Sequence, residues 1–116
     1  MPETDCLFCK IGSGEIPADV VHETDEVIAF RDISPQAPTH VLIIPKRHIA
    51  SINDLQTTDA EIVGKLFLAA KSIARDEGFD EPGYRAVLNC NAAAGQTVFH
   101  IHLHLLGGRK LADSLG

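Results

Sequence analysis

At 116 residues the chain has room for one ordinary core and is too short for two, so residues 1–116 are expected to form a single domain. Hydrophobic residues make up 45% and charged residues 22%, with Gly and Pro scattered, which excludes a disordered or low-complexity chain. A formal net charge of −6 repels phosphate polymers and anionic membrane surfaces, and Lys46-Arg47-His48 is too small a basic cluster to reverse that.

Neither a nucleic acid polymer nor a membrane is therefore an expected partner, although a few well-placed donors could still hold one mononucleotide phosphate. The opening MPETDCLFCK has no basic start followed by an apolar run, so a cytoplasmic location is expected. Three cysteines, two of them in Cys6-x-x-Cys9, fit a reducing compartment better than a disulfide framework.

Residues 6–16 read as a short helical turn or loop, followed by strands at 20–22 and 27–31 with Asp25 supplying the turn. Residues 32–38 form a loop, because Pro35 and Pro38 remove donors and push their predecessors out of the helical region. The branched apolar run 40–45 predicts a strand buried on both faces.

The spacing predicts one long helix over 57–77, opened by a Thr58–Glu61 capping box. Its apolar face is formed by Ile62, Leu66, Ala69 and Ile73 with Val63, Phe67, Ala70 and Ala74, and Gly78 stops it in a left-handed position. Two last strands, 84–89 and 98–106, flank the small-residue loop 91–95. The order β-β-β-α-β-β with an antiparallel sheet is an α+β arrangement.

The segment HIHLHLL, residues 100–106, carries three of the six histidines on alternate positions. Side chains two apart on a strand share a face, so His100, His102 and His104 point one way and Phe99, Ile101, Leu103 and Leu105 the other. A lone histidine there would be an ordinary half-exposed residue; three on one face point to chemistry.

Two chemistries fit. Alternate histidines, roughly 7 Å apart at Cα, can converge on one zinc. Alternatively a neutral imidazole attacks phosphorus while its neighbours donate to the phosphate oxygens. Asn89 and Gly95-Gln96-Thr97 supply amide, backbone N–H and hydroxyl groups suited to an oxyanion, which favours phosphate. Cys90 reads as a small apolar strand residue and His22 as a surface residue.

HIHLHLL (100–106), together with FRDISPQAPTH (30–40), IPKRH (44–48) and GQTVFH (95–100), resembles the histidine triad (HIT) superfamily over nearly the whole chain, and most closely its Hint branch. The third triad position is His104, where galactose-1-phosphate uridylyltransferases carry Gln, and the extension of the aprataxin branch is lacking. The resemblance implies a HIT-like fold: a five-stranded antiparallel sheet, one long helix and a short N-terminal helix. It implies a hydrolase that cleaves purine nucleoside 5′-phosphoramidates, and aminoacyl adenylates, through a covalent nucleotidyl-histidine.

On that resemblance His102 is the nucleophile, and His104 with the backbone around Gly95 holds the phosphate. Thr97 and Gln96 meet the phosphate and the leaving group, and Asn89 the ribose or phosphate. His40 orients the catalytic imidazoles, Asp32 accepts from the ribose hydroxyls, and Leu7, Phe8, Ile11, Phe30 and Ile33 wall the purine of AMP or GMP.

Cys6, Cys9, His48 and His100 correspond to a structural zinc site of many microbial members, and no catalytic cofactor is implied. The resemblance also implies a homodimer joined through the long helix and strand 84–89, which would cover an exposed sheet edge. The tail 111–116 departs from the animal Hint tail, and the chain has no Trp. The alternatives are a dinucleoside polyphosphate hydrolase of the Fhit type, a nucleotide-binding regulatory module without turnover, and a purely structural zinc protein.

Overall fold

The computed structural model describes residues 5–115; residues 1–4 and 116, at the ends of the expected domain, lie outside the described residues. Helix α1 (Leu7–Gly12) is followed by strands β1 (Val20–Glu23), β2 (Val27–Arg31) and β3 (Thr39–Pro45), helix α2 (Ala60–Glu77), and strands β4 (Arg85–Val87) and β5 (Leu103–Gly107). The five strands form one antiparallel sheet in the order β1-β2-β3-β5-β4. The α+β architecture is the one expected.

β3 lies at the centre of the sheet, so both its faces are covered and an unbroken apolar run is what the position requires. Val41 and Ile43 join Val27, Ala29, Ile101, Leu103 and Leu105 beneath Leu66, Ala70 and Ile73 of α2. Leu42 and Ile44 face the other way, against Ile28, Phe30 and the α1 residues Phe8 and Ile11. Two apolar clusters thus sandwich one sheet, each removing side chains worth about 1.5–3 kcal/mol apiece from water.

α2 begins later than the sequence suggests. Residues Thr57–Asp59 form a 3₁₀ turn, and the expected Thr58–Glu61 box is replaced by Asp59, whose carboxylate accepts from the Gln56 N–H (2.8 Å) and pairs with Arg47. Asp59 is buried, so satisfying it from two sides fixes the end of β3 against the start of the helix. At the other end Gly78 adopts φ 85°, and Phe79 N–H returns to Ala74 O (3.0 Å) while its ring enters the core.

The last two strands are shorter than expected: β4 omits 84 and 88–89, and β5 begins only at Leu103. Residues 98–102 run as bends and coil, although Ile101 still buries on the α2 side and His100 and His102 on the other. Phe99, expected in the core, is only half-buried. Alternation therefore outlasts the ladder, because packing against two covered faces holds it where strand pairing does not. Cys90 lies outside β4, and His22 is half-buried rather than on the surface.

The tight turn between β1 and β2 is held by Thr24, whose hydroxyl accepts from Glu26 N–H (3.2 Å) and Val27 N–H (3.1 Å), rather than by Asp25. Among the described residues no helix is long and apolar enough to cross a membrane.

Candidate active site

The sheet face opposite α2 carries the site. Register aligns Phe30 with Leu42, Leu42 with His104 and His104 with Val87, a row running across four strands. A cleft of about 560 Å³ opens above it, walled by Leu7, Phe8, Ile11, Phe30 and Leu42, with His102, His104, Asn89, Gly95 and Thr97 supplying polar groups and Asp32 beside them. An apolar slot with a few convergent polar groups is the usual form of a small-molecule site.

Hydrogen bonds assign a tautomer to each histidine. His102 Nδ1–H donates to His100 O (2.8 Å), so its Nε2 carries a lone pair. His40 Nδ1 accepts from Gln36 N–H (3.1 Å), so His40 Nε2 is the protonated nitrogen and donates to His104 Nδ1 (2.9 Å). That leaves the proton of His104 on Nε2, a donor in the same cleft. Asp32 Oδ2, 3.4 Å from His40 Nε2, stabilises the shared proton's side of the pair. One acceptor histidine thus stands beside one donor histidine, their ring centroids 5.0 Å apart.

Burial lowers the pKa of all three. His104 is pushed down to about 4 by desolvation, with His102 and His40 adding to the effect and Asp32 opposing it. His102 and His40 are likewise lowered by burial against the pull of Asp32, and for His102 also of the His100 carbonyl. At neutral pH these imidazoles are uncharged, the state a nitrogen nucleophile requires.

His100 faces another cluster. Its Nε2–H donates to Pro45 O (2.7 Å), which turns Nδ1 toward Cys6 Sγ (3.4 Å) and Cys9 Sγ (3.5 Å), while Cys9 Sγ lies 3.3 Å from His48 Nδ1. The four ligand atoms all fall within 4.8 Å of one another. Zinc bonds of about 2.3 Å to sulfur and 2.0–2.1 Å to nitrogen in a tetrahedron separate S and N by roughly 3.5 Å. The donor set, its spacing and the carbonyl behind His100 therefore fit a closed structural zinc site.

Asp32, His40 and His104 also lie within 4.8 Å of one another. There the Gln36 N–H keeps the proton of His40 on Nε2, the atom a metal would need bare, so this group is a hydrogen-bond relay.

The HIT domain model matches residues 13–111. This chain belongs to the HIT family. The purine nucleoside phosphoramidase of Escherichia coli (strain K12) is 50% identical over 111 residues, 96% of this chain and 93% of that protein. A HIT family hydrolase from Legionella pneumophila is 57% identical and superposes with a TM-score of 0.95, covering 97% of this chain and all of that one. A histidine triad protein from Clostridium difficile is 43% identical, with a TM-score of 0.94 over 98% of this chain and 99% of its own. The HIT chain is accordingly a hydrolase with the five-stranded HIT fold.

In this HIT chain the residues expected at the site separate into four places. Leu7, Phe8, Ile11, Phe30, Asp32, Ile33, Asn89, Gly95, Thr97, His102 and His104 all line the cleft. His40 stands behind His104, and Cys6, Cys9, His48 and His100 form a cluster spaced to hold a metal ion. Gln96 does not line the cleft: it is buried, and its side chain bonds Asn91, Ala50 and Val98.

Sequence reasoning on the HIT chain missed Ile16, Pro17, Ala18 and Leu42, which complete the wall. Leu42 was legible in principle, because it sits two residues from His40 on the same strand face. The segment 16–18 carries no local signal, being brought to the cleft by the turn after α1.

Proposed function

We propose that the chain is a purine nucleoside phosphoramidase of the Hint branch, releasing a nucleoside monophosphate from 5′-phosphoramidates and, by the same route, from aminoacyl adenylates. The observation that carries this reading is the tautomer pair, His102 with a bare Nε2 beside His104 with a protonated one. The purine lies in the slot of Leu7, Phe8, Ile11 and Phe30, with Ile33 over its open side, and the ribose hydroxyls donate to Asp32.

His102 Nε2 attacks the α-phosphorus, and an N–P bond forms as the bond to the leaving amine breaks. Its Nδ1–H stays on His100 O, which disperses the positive charge that the ring acquires. His104 Nε2–H, with Asn89 and the backbone at Gly95, holds the phosphate oxygens, and the Thr97 hydroxyl passes a proton to the departing nitrogen. Water then attacks the phosphorus as the N–P bond to His102 breaks, one water proton returning to the Thr97 oxygen, which releases the monophosphate and restores neutral His102.

Zinc held by Cys6, Cys9, His48 and His100 is structural in this scheme, and two metal-ligating thiols suit a cytoplasmic location. The chain works as a homodimer. Two features support that: β4 is an edge strand, and Phe67 and Leu68 of α2 stand 48% and 62% exposed.

Incubation with an adenosine 5′-phosphoramidate, followed by chromatography of AMP, tests the assignment. Native protein turns over and His102→Ala loses at least about 10³-fold in kcat. AMP binding without turnover by native protein would make this a regulatory module instead.

A further inference from the structure

Gln96 is 3% exposed, and every polar atom of its side chain is used. Oε1 accepts from Asn91 N–H (2.7 Å), and Nε2 donates to Ala50 O (2.8 Å) and Val98 O (3.1 Å). Its main-chain N–H also reaches Asn91 O (3.1 Å), so Gln96 holds the peptide groups on both sides of the Asn91 Cα.

What it grips is strained. Among the described residues Asn91 is the one non-glycine with positive φ, at φ 66° and ψ −179°. An L side chain crowds its own backbone there, and the region is essentially glycine's. Asn91 is exposed and lies on a short 3₁₀ turn, Ala92–Ala94, that packs no buried side chain. Its carbonyl also accepts from Ala94 N–H (3.2 Å) within the turn, and the Gln96 bonds are what tie its backbone to the rest of the molecule.

The limbs of this turn carry the phosphate-facing groups. Asn89 precedes Asn91 by two residues, and Gly95 and Thr97 flank Gln96, all three lining the cleft. The other bonds of Gln96 staple the turn to Ala50, beside the segment that holds His48, and to Val98, which leads into the triad. Ile101 N–H to Ile49 O (2.8 Å) locks the same two segments together one step further on.

We propose that Gln96 is a positioning residue: it holds the strained Asn91 turn in place and thereby sets Asn89, Gly95 and Thr97 against the phosphorus that His102 attacks. Gln96 does not itself touch the leaving group. To do so its own buried amide would have to leave three hydrogen bonds at once, to the half-buried carbonyls of Ala50 and Val98 and to the Asn91 N–H, and one substrate contact replaces only one of them. The inference rests on the phosphoramidase reading of the cleft.

The test is a double-mutant cycle on the full chain, with native protein, Asn91→Gly, Gln96→Met and the double variant. Each is assayed for kcat and KM on two adenosine phosphoramidates whose leaving amines differ in basicity. Gln96→Met keeps the side-chain volume and removes all three bonds; misplacement of the donors lowers kcat by about 10- to 100-fold with KM within about threefold, equally for both amines. Asn91→Gly removes the strain, so alone it stays within about threefold of native, and in its background the Gln96→Met loss shrinks by at least about fivefold.

An equal loss in both backgrounds, or a loss that tracks amine basicity, would overturn the proposal in favour of direct contact. If Gln96→Met does not fold, Gln96→Glu enters the same cycle: it keeps the acceptor for Asn91 N–H and loses both donors. Absence of turnover by the native chain would instead defeat the phosphoramidase reading.

Discussion

At the residue scale, the site depends on which nitrogen of each ring carries a proton, and backbone groups decide that. The His100 carbonyl and the Gln36 N–H are fixed by the chain path, so His102 and His40 are held in one tautomer before any substrate arrives. The low pKa of His104 has a consequence for stability. With a folded value of about 4 against an ordinary 6.5, the unfolded chain binds more protons than the folded one between those limits. Its contribution to stability is complete above pH 6.5 and is lost as the pH falls to about 4. Urea melts at pH 7, 5.5 and 4.5 check this: the midpoint falls with each step, and His104→Gln flattens the decline.

At the element scale, α1 is six residues long, too short to be stable alone, yet it supplies both thiols and three wall residues of the cleft. Cys6 accepts from Cys9 N–H (3.3 Å), which caps the helix with a sulfur aimed at the metal cluster. Between the cysteines, Phe8 stands edge-on to His102 with centroids 5.1 Å apart. Metal held at the cluster would therefore anchor one wall of the cleft. Removing it with a chelator lowers the melting temperature and weakens AMP binding by roughly 10-fold or more, as read by calorimetric titration, because α1 must be ordered anew on binding. Unchanged AMP affinity in metal-free protein would show that packing of Phe8 and Ile11 alone suffices.

At the scale of the whole molecule, the sheet has two edges, and they differ. β1 packs against α2 and turns tightly through Thr24 into β2, while β4 offers three residues with an open side. In the proposed dimer, pairing of two copies through β4 and α2 would extend the sheet across the interface and cover the exposed Phe67. For that dimer, size-exclusion chromatography with light scattering gives twice the chain mass of 12.5 kDa, and Phe67→Glu shifts the equilibrium toward the single chain mass. A native species of single mass would remove the dimer.

The strands of the first half, the long helix with its Gly78 stop, and the shared face of the three histidines were legible in the sequence. Each follows from a local rule: chain periodicity, a glycine conformation, or branched apolar runs. The triad's neighbours needed the fold. Asp59 replaced Thr58 and Glu61 at the helix start because Arg47 arrives from β3, and β5 began late because the 98–102 segment packs without a ladder partner. The sequence by itself determined which residues of a strand or helix share a face, because that follows from backbone periodicity. Only the tertiary structure decided that His100 turns to the cysteines and Gln96 inward to its own turn, since the carbonyls of Pro45 and Ala50, distant in sequence, fix those side chains.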